Sequence, residues 1–223
     1  MMKTKKVSLI AGISVCALIV LFTVIYAVIT GAFVSAEKYV APCDIEASYA
    51  ADAIEWVLKN EWMAVETFDG QAYFFPKEKV TRDEIAKILV SYLEINCEDY
   101  ADTALGFADE LQIPSESLPY IRAVLAGGYV KLFSDYTYRR DSPLTREEIA
   151  DIFAPLCEIN AATGKSSDFS DFNEVSIYFE DSVRKLVELE LLIGYPDGKL
   201  RPKNDITREE LATLLYRLSL TEQ

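Results

Sequence analysis

Three arginines stand where the start of a helix would favour a carboxylate. Each follows a threonine in a Thr-Arg-acid-Glu tetrad, and the three are Arg82, Arg146 and Arg208. The threonine has the pattern of a helix N-cap and the glutamate that of its capping-box partner, so the arginine takes the first helical position. The positive end of the helix dipole opposes a cation there by about 0.3–1 kcal/mol. Because the unfavourable residue recurs at all three helix starts, we expect the arginines to have a functional role.

Anion binding is the chemistry that these positions suggest. Free backbone N–H groups at a helix start, together with a guanidinium, suit a carboxylate or a phosphate. We therefore expect a small anion site at each tetrad. The structural alternative is that the arginines pair with the chain's own acidic side chains, which are in surplus and add little stability at a surface. The sequence is compatible with both interpretations.

The other tetrad residues have a sufficient structural explanation. A threonine side chain that caps the helix and a glutamate that returns a bond to the cap's backbone form a capping box. We expect this role for the threonines Thr81, Thr145 and Thr207 and for the glutamates Glu84, Glu148 and Glu210.

The sequence offers little for catalysis or for metal binding. It contains no histidine, and its four cysteines lack the spacing of metal ligands,. Paired carboxylates are expected by chance in an acidic chain. We predict a protein that is not an enzyme and that has neither a cofactor nor a metal site.

The N-terminal segment predicts export. Three lysines precede the uncharged run Val7–Ala36, which is long enough to cross a hydrocarbon layer of roughly 30 Å. Val34 and Ala36 also match the small-residue pattern of a cleavage site. Residues 1–36 are therefore expected to be either a cleaved signal peptide or a hydrophobic helix that anchors the chain in the membrane. The lysines favour a location of the remainder outside the cytoplasm.

The part that follows Ala36 is strongly acidic. It holds all 36 acidic residues and 19 of the 22 basic ones, which gives a formal charge of −17. Such a surface repels nucleic acid and anionic lipid, so no nucleic-acid partner is expected.

Three copies of one unit make up this exported part. The tetrads start 64 and 62 residues apart, and Asp109 and Asp171 each lie 36 residues before a tetrad threonine. Apolar residues recur at helical spacing in two segments of each copy, at 43–96, 97–160 and 166–220,. A lone helix pair cannot cover its own apolar stripe, so we predict an all-α fold in which three helix pairs pack around a pseudo-threefold axis.

Copy three resembles an S-layer homology (SLH) repeat of bacterial cell-surface proteins. Its sequence FSDFNEVSIYFEDSVRKLVELELLIGYPDGKLRPKNDITREELATLLYRL carries the aromatic-x-Asp start, the Gly-aromatic-Pro-Asp-Gly turn, the Arg-Pro and the Ile-Thr-Arg-acid-Glu of that family. Copies one and two keep the tetrad and the helix pattern, so the resemblance covers about residues 43–220.

The resemblance implies a three-pronged helical domain whose grooves bind anionic, commonly pyruvylated, secondary polysaccharide attached to peptidoglycan. It assigns the tetrad arginines to the ligand carboxylate, with the tetrad threonines beside them, and Asp109 and Asp171 to sugar hydroxyls. The family also has a glycine where the first helix ends, which here only Gly194 provides, while Val65 and Leu132 stand at the aligned places. We expect non-covalent attachment at the cell surface or cell wall, with a membrane anchor if the N-terminal segment is retained.

A second hypothesis is an envelope adaptor or structural protein, anchored in the membrane, whose SLH-like domain binds another protein. Drift within the grooves favours it. The third tetrad residue, usually small in the family, is acidic in every copy: Asp83, Glu147 and Glu209.

Aromatic residues cluster in copy one. They are Trp56, Trp62, Tyr73, Phe74 and Phe75. Such a cluster is typical of a helical core, and its alternative interpretation is a sugar-binding groove.

Overall fold

Six α-helices are the main regular elements of the computed structural model, which describes residues 40–157 and 168–221. They are α1 (Ala51–Lys59), α2 (Arg82–Tyr92), α3 (Leu118–Ala126), α4 (Arg146–Phe153), α5 (Glu180–Glu188) and α6 (Arg208–Thr221). Short 3-10 helices lie between them, at Cys97–Tyr100, Glu110–Gln112, Ala154–Leu156 and Phe172–Glu174. The predicted N-terminal helix within 1–36 lies outside the described residues. In the described ranges, no helix is both long enough and apolar enough to cross a membrane.

A β-hairpin in copy one corrects the expected all-α class to a mostly helical fold. Strands β1 (Glu66–Phe68) and β2 (Gln71–Tyr73) pair antiparallel, with Glu66 opposite Tyr73. Asp69 and Gly70 form the turn, and both have positive φ, 49° and 77°. This two-residue turn matches the twist of a hairpin.

The predicted apolar stripes form the core. In the first helix of each copy, Ile54, Ile121 and Val183 are fully buried; in the second, Ile85, Ile149 and Leu211 are fully buried. Burial of side chains of this size contributes about 1.5–3 kcal/mol each. The periodicity of the sequence therefore identified the buried faces correctly.

The helices that pack together come from consecutive copies. Helix α2 of copy one packs on α3 of copy two, α4 packs on α5, and α6 returns to pack on α1. The predicted helix pairs therefore form between copies rather than within them. The physical reason is that the apolar stripe of each second helix is covered by the first helix of the next copy.

A closed triangle of backbone hydrogen bonds joins the three copies just before the tetrads. The Val80 N–H donates to the Ile206 carbonyl at 3.1 Å, the Ile206 N–H donates to the Leu144 carbonyl at 2.9 Å, and the Leu144 N–H donates to the Val80 carbonyl at 3.0 Å. All three side chains are buried. The triangle brings the three tetrads to one region and fixes their cyclic order.

Candidate functional site

The backbone N–H groups at the tetrads already have partners. The Arg82 N–H donates to the Ser142 carbonyl at 3.0 Å, and the Asp83 N–H donates to the Arg140 carbonyl at 2.8 Å. The same two N–H groups of the other tetrads donate to carbonyls of Asn204 and Pro202 and of Glu78 and Pro76. The expectation of free N–H groups for an anion was therefore wrong, because the next copy supplies the acceptors.

The threonine caps are confirmed in all three copies. Each threonine hydroxyl accepts from the backbone N–H of its tetrad glutamate, at 3.2, 3.3 and 3.4 Å for Thr81, Thr145 and Thr207. Glu148 and Glu210 return a bond to the N–H of the threonine, at 2.8 and 2.9 Å.

Glu84 departs from the predicted capping box. Its carboxylate forms an ion pair with Arg208 instead of returning to the N–H of Thr81. The prediction was therefore wrong for this residue, because a guanidinium from copy three competes for the carboxylate.

Arg82 reaches from copy one to the turn of copy two. Its Nε donates to the Tyr138 carbonyl and its Nη2 to the Lys131 carbonyl, both at 2.6 Å. The guanidinium lies 4.6 Å from the ring centroid of Tyr138 and 4.8 Å from that of Phe133. Burial lowers the pKa of Arg82, but an arginine side chain remains a cation in proteins. Within the described residues, Nη1 of Arg82 has no hydrogen-bond or ion-pair partner.

Arg146 makes the equivalent contacts between copies two and three. Its Nε donates to the Leu200 carbonyl at 2.9 Å, and its Nη2 donates to the Ile193 carbonyl at 2.5 Å. Its Nη1 lies 3.6 Å from Oε1 of Glu210, and the guanidinium is 5.0 Å from the ring centroid of Tyr195. The third nitrogen of Arg146 therefore has a distant carboxylate as its partner.

Arg208 closes the cycle from copy three to copy one. Its Nε donates to the Phe74 carbonyl and its Nη2 to the Ala64 carbonyl, both at 2.7 Å, while Nη1 pairs with Glu84. Burial lowers the pKa of Arg208. All three guanidinium nitrogens have partners within the chain, and the Nη1 pair with Glu84 is the contact with an acidic side chain that the structural alternative predicted.

Arg82 and Arg146 each border an open cavity. Arg82 lines a cavity of about 510 Å³, together with residues that include Gly127, Gly128, Lys131, Glu148 and Asp151. Arg146 lines a second cavity of about 510 Å³, together with residues that include Tyr49, Lys77, Gly194, Tyr195, Glu209 and Glu210. Each of these two grooves is lined by residues of all three copies.

The opening aspartates hold the turns of their own copies. Asp109 accepts from the N–H groups of Tyr138 and Arg139, both at 2.7 Å. Asp171 accepts from Leu200 and Arg201 at 2.7 and 2.8 Å. Both carboxylates therefore already serve as acceptors within the protein. Their predicted contact with sugar hydroxyls stays a prediction.

Asp44 is a third aspartate of this kind. Its carboxylate accepts from the N–H groups of Phe74 and Phe75 at 2.8 and 2.7 Å. Copy one lacks the phenylalanine that precedes the aspartate in the other copies, and its spacing to the threonine differs by one residue. Asp44 lies 37 residues before Thr81, and this near-equal spacing is the sequence signal for its role.

The third tetrad acids are buried and paired across copies. Glu147 accepts from the N–H and hydroxyl of Ser176 at 2.9 and 2.8 Å, and from Lys203 at 2.6 Å. Glu209 accepts from Ser48 at 2.7 Å and pairs with Lys77. Asp83, the third of these acids, accepts from Lys87 of its own copy at 2.8 Å and lies 3.4 Å from Arg140 of copy two. Glu147 and Glu209 therefore join copies through cations of the next copy, whereas the nearest cation to Asp83 belongs to its own copy.

Gly194 allows a close approach of an aromatic ring. A Cβ at this position would lie 2.1 Å from Cε1 of Phe169 and 2.9 Å from the Lys199 carbonyl oxygen. The glycine that the resemblance marked thus makes room within the protein, beside the cavity at Arg146.

The turn residues that receive the arginines were missed by the sequence reasoning. They are the carbonyls of Tyr138, Leu200 and Phe74, whose side chains are fully buried. A signal was present, because a large apolar residue stands seven positions before each tetrad threonine.

Comparison with known proteins relates this geometry to a family. The S-layer homology domain model matches residues 106–150 and 168–212. Cell surface glycoprotein 1 of Acetivibrio thermocellus is 27% identical over 157 residues, which are 65% of this chain and 6% of that protein. The cellulosome-anchoring protein of the same species is 33% identical over 92 residues, 40% of this chain and 20% of that protein.

An enzyme name also occurs among the relatives. The amylopullulanase of Thermoanaerobacterium thermosulfurigenes is 26% identical over 179 residues, which are 78% of this chain and 9% of that protein. The chain spans a fifth or less of the length of these three relatives. A match over so small a share does not transfer the enzyme name to this chain. The family model supports two S-layer homology repeats in this chain, and the third repeat, at 43–96, remains a prediction.

Proposed function

We propose that this chain attaches non-covalently to the bacterial cell wall by binding an anionic secondary polysaccharide in the grooves between its copies. Two S-layer homology matches support the proposal. So do the relatives named cell surface glycoprotein 1 and cellulosome-anchoring protein. The polymer, commonly pyruvylated, and its link to peptidoglycan are what the family resemblance implies. The location that follows is the cell surface or cell wall.

Arg82 carries the proposal. Its Nη1 is a donor of a buried cation, has no partner in the described part of the chain, and belongs to a side chain that lines a cavity. A guanidinium nitrogen without a protein partner, on a side chain that is otherwise fixed, can donate a charge-assisted hydrogen bond to an anion in the cavity. We infer that a ligand carboxylate takes this position.

Arg146 is the second proposed contact with the ligand, and Arg208 is the weakest of the three candidate contacts. The carboxylate of Glu210 lies 3.6 Å from Arg146, a separation that leaves room for competition by a ligand. The Glu84 carboxylate already occupies Arg208. In this proposal the remaining predicted site residues shape the grooves by fixing the helix starts and the turns. They are Thr81, Thr145, Thr207, Asp109, Asp171 and Gly194.

The charge of the chain restricts how an anionic polymer binds. The part after Ala36 carries a formal charge of −17, so the long-range field is repulsive. Beyond a Debye length of about 8 Å that field is screened at physiological salt. Binding therefore depends on short-range contacts with local cations, which is what the arginine grooves offer.

The proposed activity is binding without catalysis. A second candidate is an envelope adaptor, anchored in the membrane, that binds another protein, and the ion pair at Arg208 favours it. There the chain's own carboxylate takes the position of an anionic ligand. In that case the protein would not sediment with purified wall.

Paired substitutions test the proposal. Arg82→Gln and Arg208→Gln each remove a guanidinium that bonds two carbonyls, so both should lower stability to a similar degree. Only Arg82→Gln is expected to weaken co-sedimentation with purified cell-wall sacculi, by roughly 10–100-fold, as expected for loss of a charged hydrogen bond. Circular dichroism and urea unfolding verify that both variants are folded. Equal sedimentation of Arg82→Gln and wild type would contradict the assignment.

A further inference from the structure

One backbone position is left-handed in every copy although it never carries glycine. Phe75, Arg139 and Arg201 lie six residues before their tetrad threonines and have φ of 55°, 54° and 53°. This conformation is unfavourable for residues with a Cβ and persists where the surroundings enforce it. Here the opening aspartate of each copy accepts from the N–H of this residue. The side chain of this left-handed residue is therefore held in the same place on the turn of each copy.

Copies two and three place a cation at this position. The Arg139 guanidinium lies 4.1 Å from the ring centroid of Phe133, and the Arg201 guanidinium lies 4.1 Å from that of Tyr195. Each also bonds an aspartate four residues earlier, at 2.7 and 2.8 Å. The outer faces of these two turns are therefore polar and charged.

Copy one places an aromatic ring there instead. Phe75 is nearly parallel to Tyr73, with ring centroids 5.6 Å apart and an angle of 14°. Phe68 on the neighbouring strand lies 6.0 Å from Phe75 and 6.2 Å from Tyr73. The Phe68 side chain is 53% exposed. We name these three rings the hairpin platform.

Polar groups surround the hairpin platform. The Tyr73 hydroxyl donates to Oε1 of Gln71 at 2.9 Å. Glu66, Asp69 and Gln71 are exposed on the same hairpin. Carboxylates and an amide are acceptors for hydroxyl groups, whereas the two carboxylates repel an anionic ligand.

We propose that the hairpin platform of Phe68, Tyr73 and Phe75 binds a neutral sugar ring of a glycan chain. The apolar C–H face of a pyranose covers exposed aromatic surface, while its hydroxyls bond the polar groups at the edge. An exposed aromatic patch marks an interaction site. The hairpin itself carries no lysine or arginine between Glu66 and Phe75. The Arg208 guanidinium reaches its base, but the Phe74 and Ala64 carbonyls and the Glu84 carboxylate occupy its nitrogens. The platform therefore differs in chemistry from the cavities at Arg82 and Arg146.

Charge argues against the other occupants of such a patch. A second copy of this chain would bring another surface of formal charge −17, and an anionic lipid surface would also be repelled. A neutral glycan meets no such repulsion. This site goes beyond the proposed anion binding and does not use Arg82.

Saturation-transfer difference NMR tests whether the hairpin platform binds a neutral glycan. The purified protein is measured with cellotetraose and with N-acetylchitotetraose. We expect transfer to pyranose ring protons from at least one of these neutral probes. The Phe68→Ser/Tyr73→Ser variant should reduce the signal at least ten-fold. The matched control Ile177→Ser/Tyr178→Ser, which removes two side chains that are 80% and 89% exposed, should leave it unchanged.

Two further variants separate this site from folding effects and from the arginine grooves. Phe68→Trp enlarges the stacking surface without removing it and should strengthen the signal. Arg82→Gln should leave the signal unchanged even though it weakens binding to sacculi. The proposal is overturned by absence of transfer from both probes, or by equal transfer in the Phe68→Ser/Tyr73→Ser variant. It is also overturned if sedimentation equilibrium shows a dimer that this variant disperses, because the rings then serve a second copy.

Discussion

Arg82 and Tyr138 exchange two hydrogen bonds across the boundary between copies one and two. Nε of Arg82 donates to the Tyr138 carbonyl at 2.6 Å, and the Tyr138 hydroxyl donates to the Arg82 carbonyl at 2.6 Å. Tyr138 is fully buried. The guanidinium that we propose as the ligand contact is thus fixed in place before any ligand arrives, which reduces the entropy lost on binding.

Tyr138→Phe should lower the free energy of unfolding by about 1 kcal/mol, the typical net contribution of one hydrogen bond. Burial raises the pKa of Tyr138 well above its ordinary value, so the hydroxyl remains a donor throughout the physiological range. Urea unfolding at pH 7 measures the change. Tyr136→Phe is the control, because the Tyr136 side chain is 70% exposed. Equal losses in the two variants would show that the reciprocal bond has no special role.

The sequence predicted the parts of the tetrad that depend on local geometry. The Thr145 cap and its Glu148 partner lie three residues apart, and the apolar stripe that begins at Ile149 follows from helical periodicity. Each of these features is determined within one or two helical turns. Local spacing was therefore sufficient to place them.

The sequence did not predict what the arginines contact. The carbonyl partners of Arg82, Arg146 and Arg208 lie 47 to 144 residues away along the chain. Every residue has a backbone carbonyl, so the residue type does not indicate which carbonyl accepts a hydrogen bond from an arginine. The surplus of acidic residues suggested carboxylate partners, and only at Arg208 is a carboxylate in direct contact.

Asp171→Asn should destabilise the protein in a pH-dependent way. Burial alone would raise the pKa of Asp171, but the N–H donors of Leu200 and Arg201 lower it, and the net pKa lies below its ordinary value. A depressed folded-state pKa means that the carboxylate contributes stability above the unfolded pKa of about 3.9 and loses it as pH falls through the folded pKa.

We therefore expect Asp171→Asn to lower the free energy of unfolding at pH 7 by about 1–3 kcal/mol. The difference from wild type should shrink as pH falls below about 4. Urea unfolding across this range measures it. Asp102→Asn, at an exposed position, serves as the control and should change stability little. A difference that is constant with pH would contradict the role of the charged carboxylate.

Gly198→Ala and Gly194→Ala should destabilise for different reasons. Gly198 has φ of 75°, and a Cβ there would meet nothing within 4 Å, so the loss is conformational and about 1 kcal/mol. At Gly194 the new Cβ would collide with Phe169 and approach the Lys199 carbonyl oxygen.

Thermal unfolding should therefore show the larger loss for Gly194→Ala. Because Gly194 also lines the cavity at Arg146, this variant should weaken sedimentation with sacculi, whereas Gly198→Ala should not when both are assayed well below their unfolding temperatures. Identical sedimentation of both variants would indicate that the groove at Arg146 takes no part in attachment.

Glu84→Gln should make Arg208 available to an anionic ligand. The substitution removes the carboxylate that pairs with Nη1 of Arg208 and leaves the two carbonyl bonds at Phe74 and Ala64 in place. Arg208 would then resemble Arg82, with one nitrogen available to an anion. We expect the variant to stay bound to sacculi at higher salt than wild type, since an additional charged contact strengthens binding. Glu180→Gln, which removes one acidic charge from a surface pair with Arg184, controls for the change in net charge. If both variants gain salt resistance equally, general charge repulsion limits binding. The Glu84 carboxylate is then not what keeps an anion from Arg208.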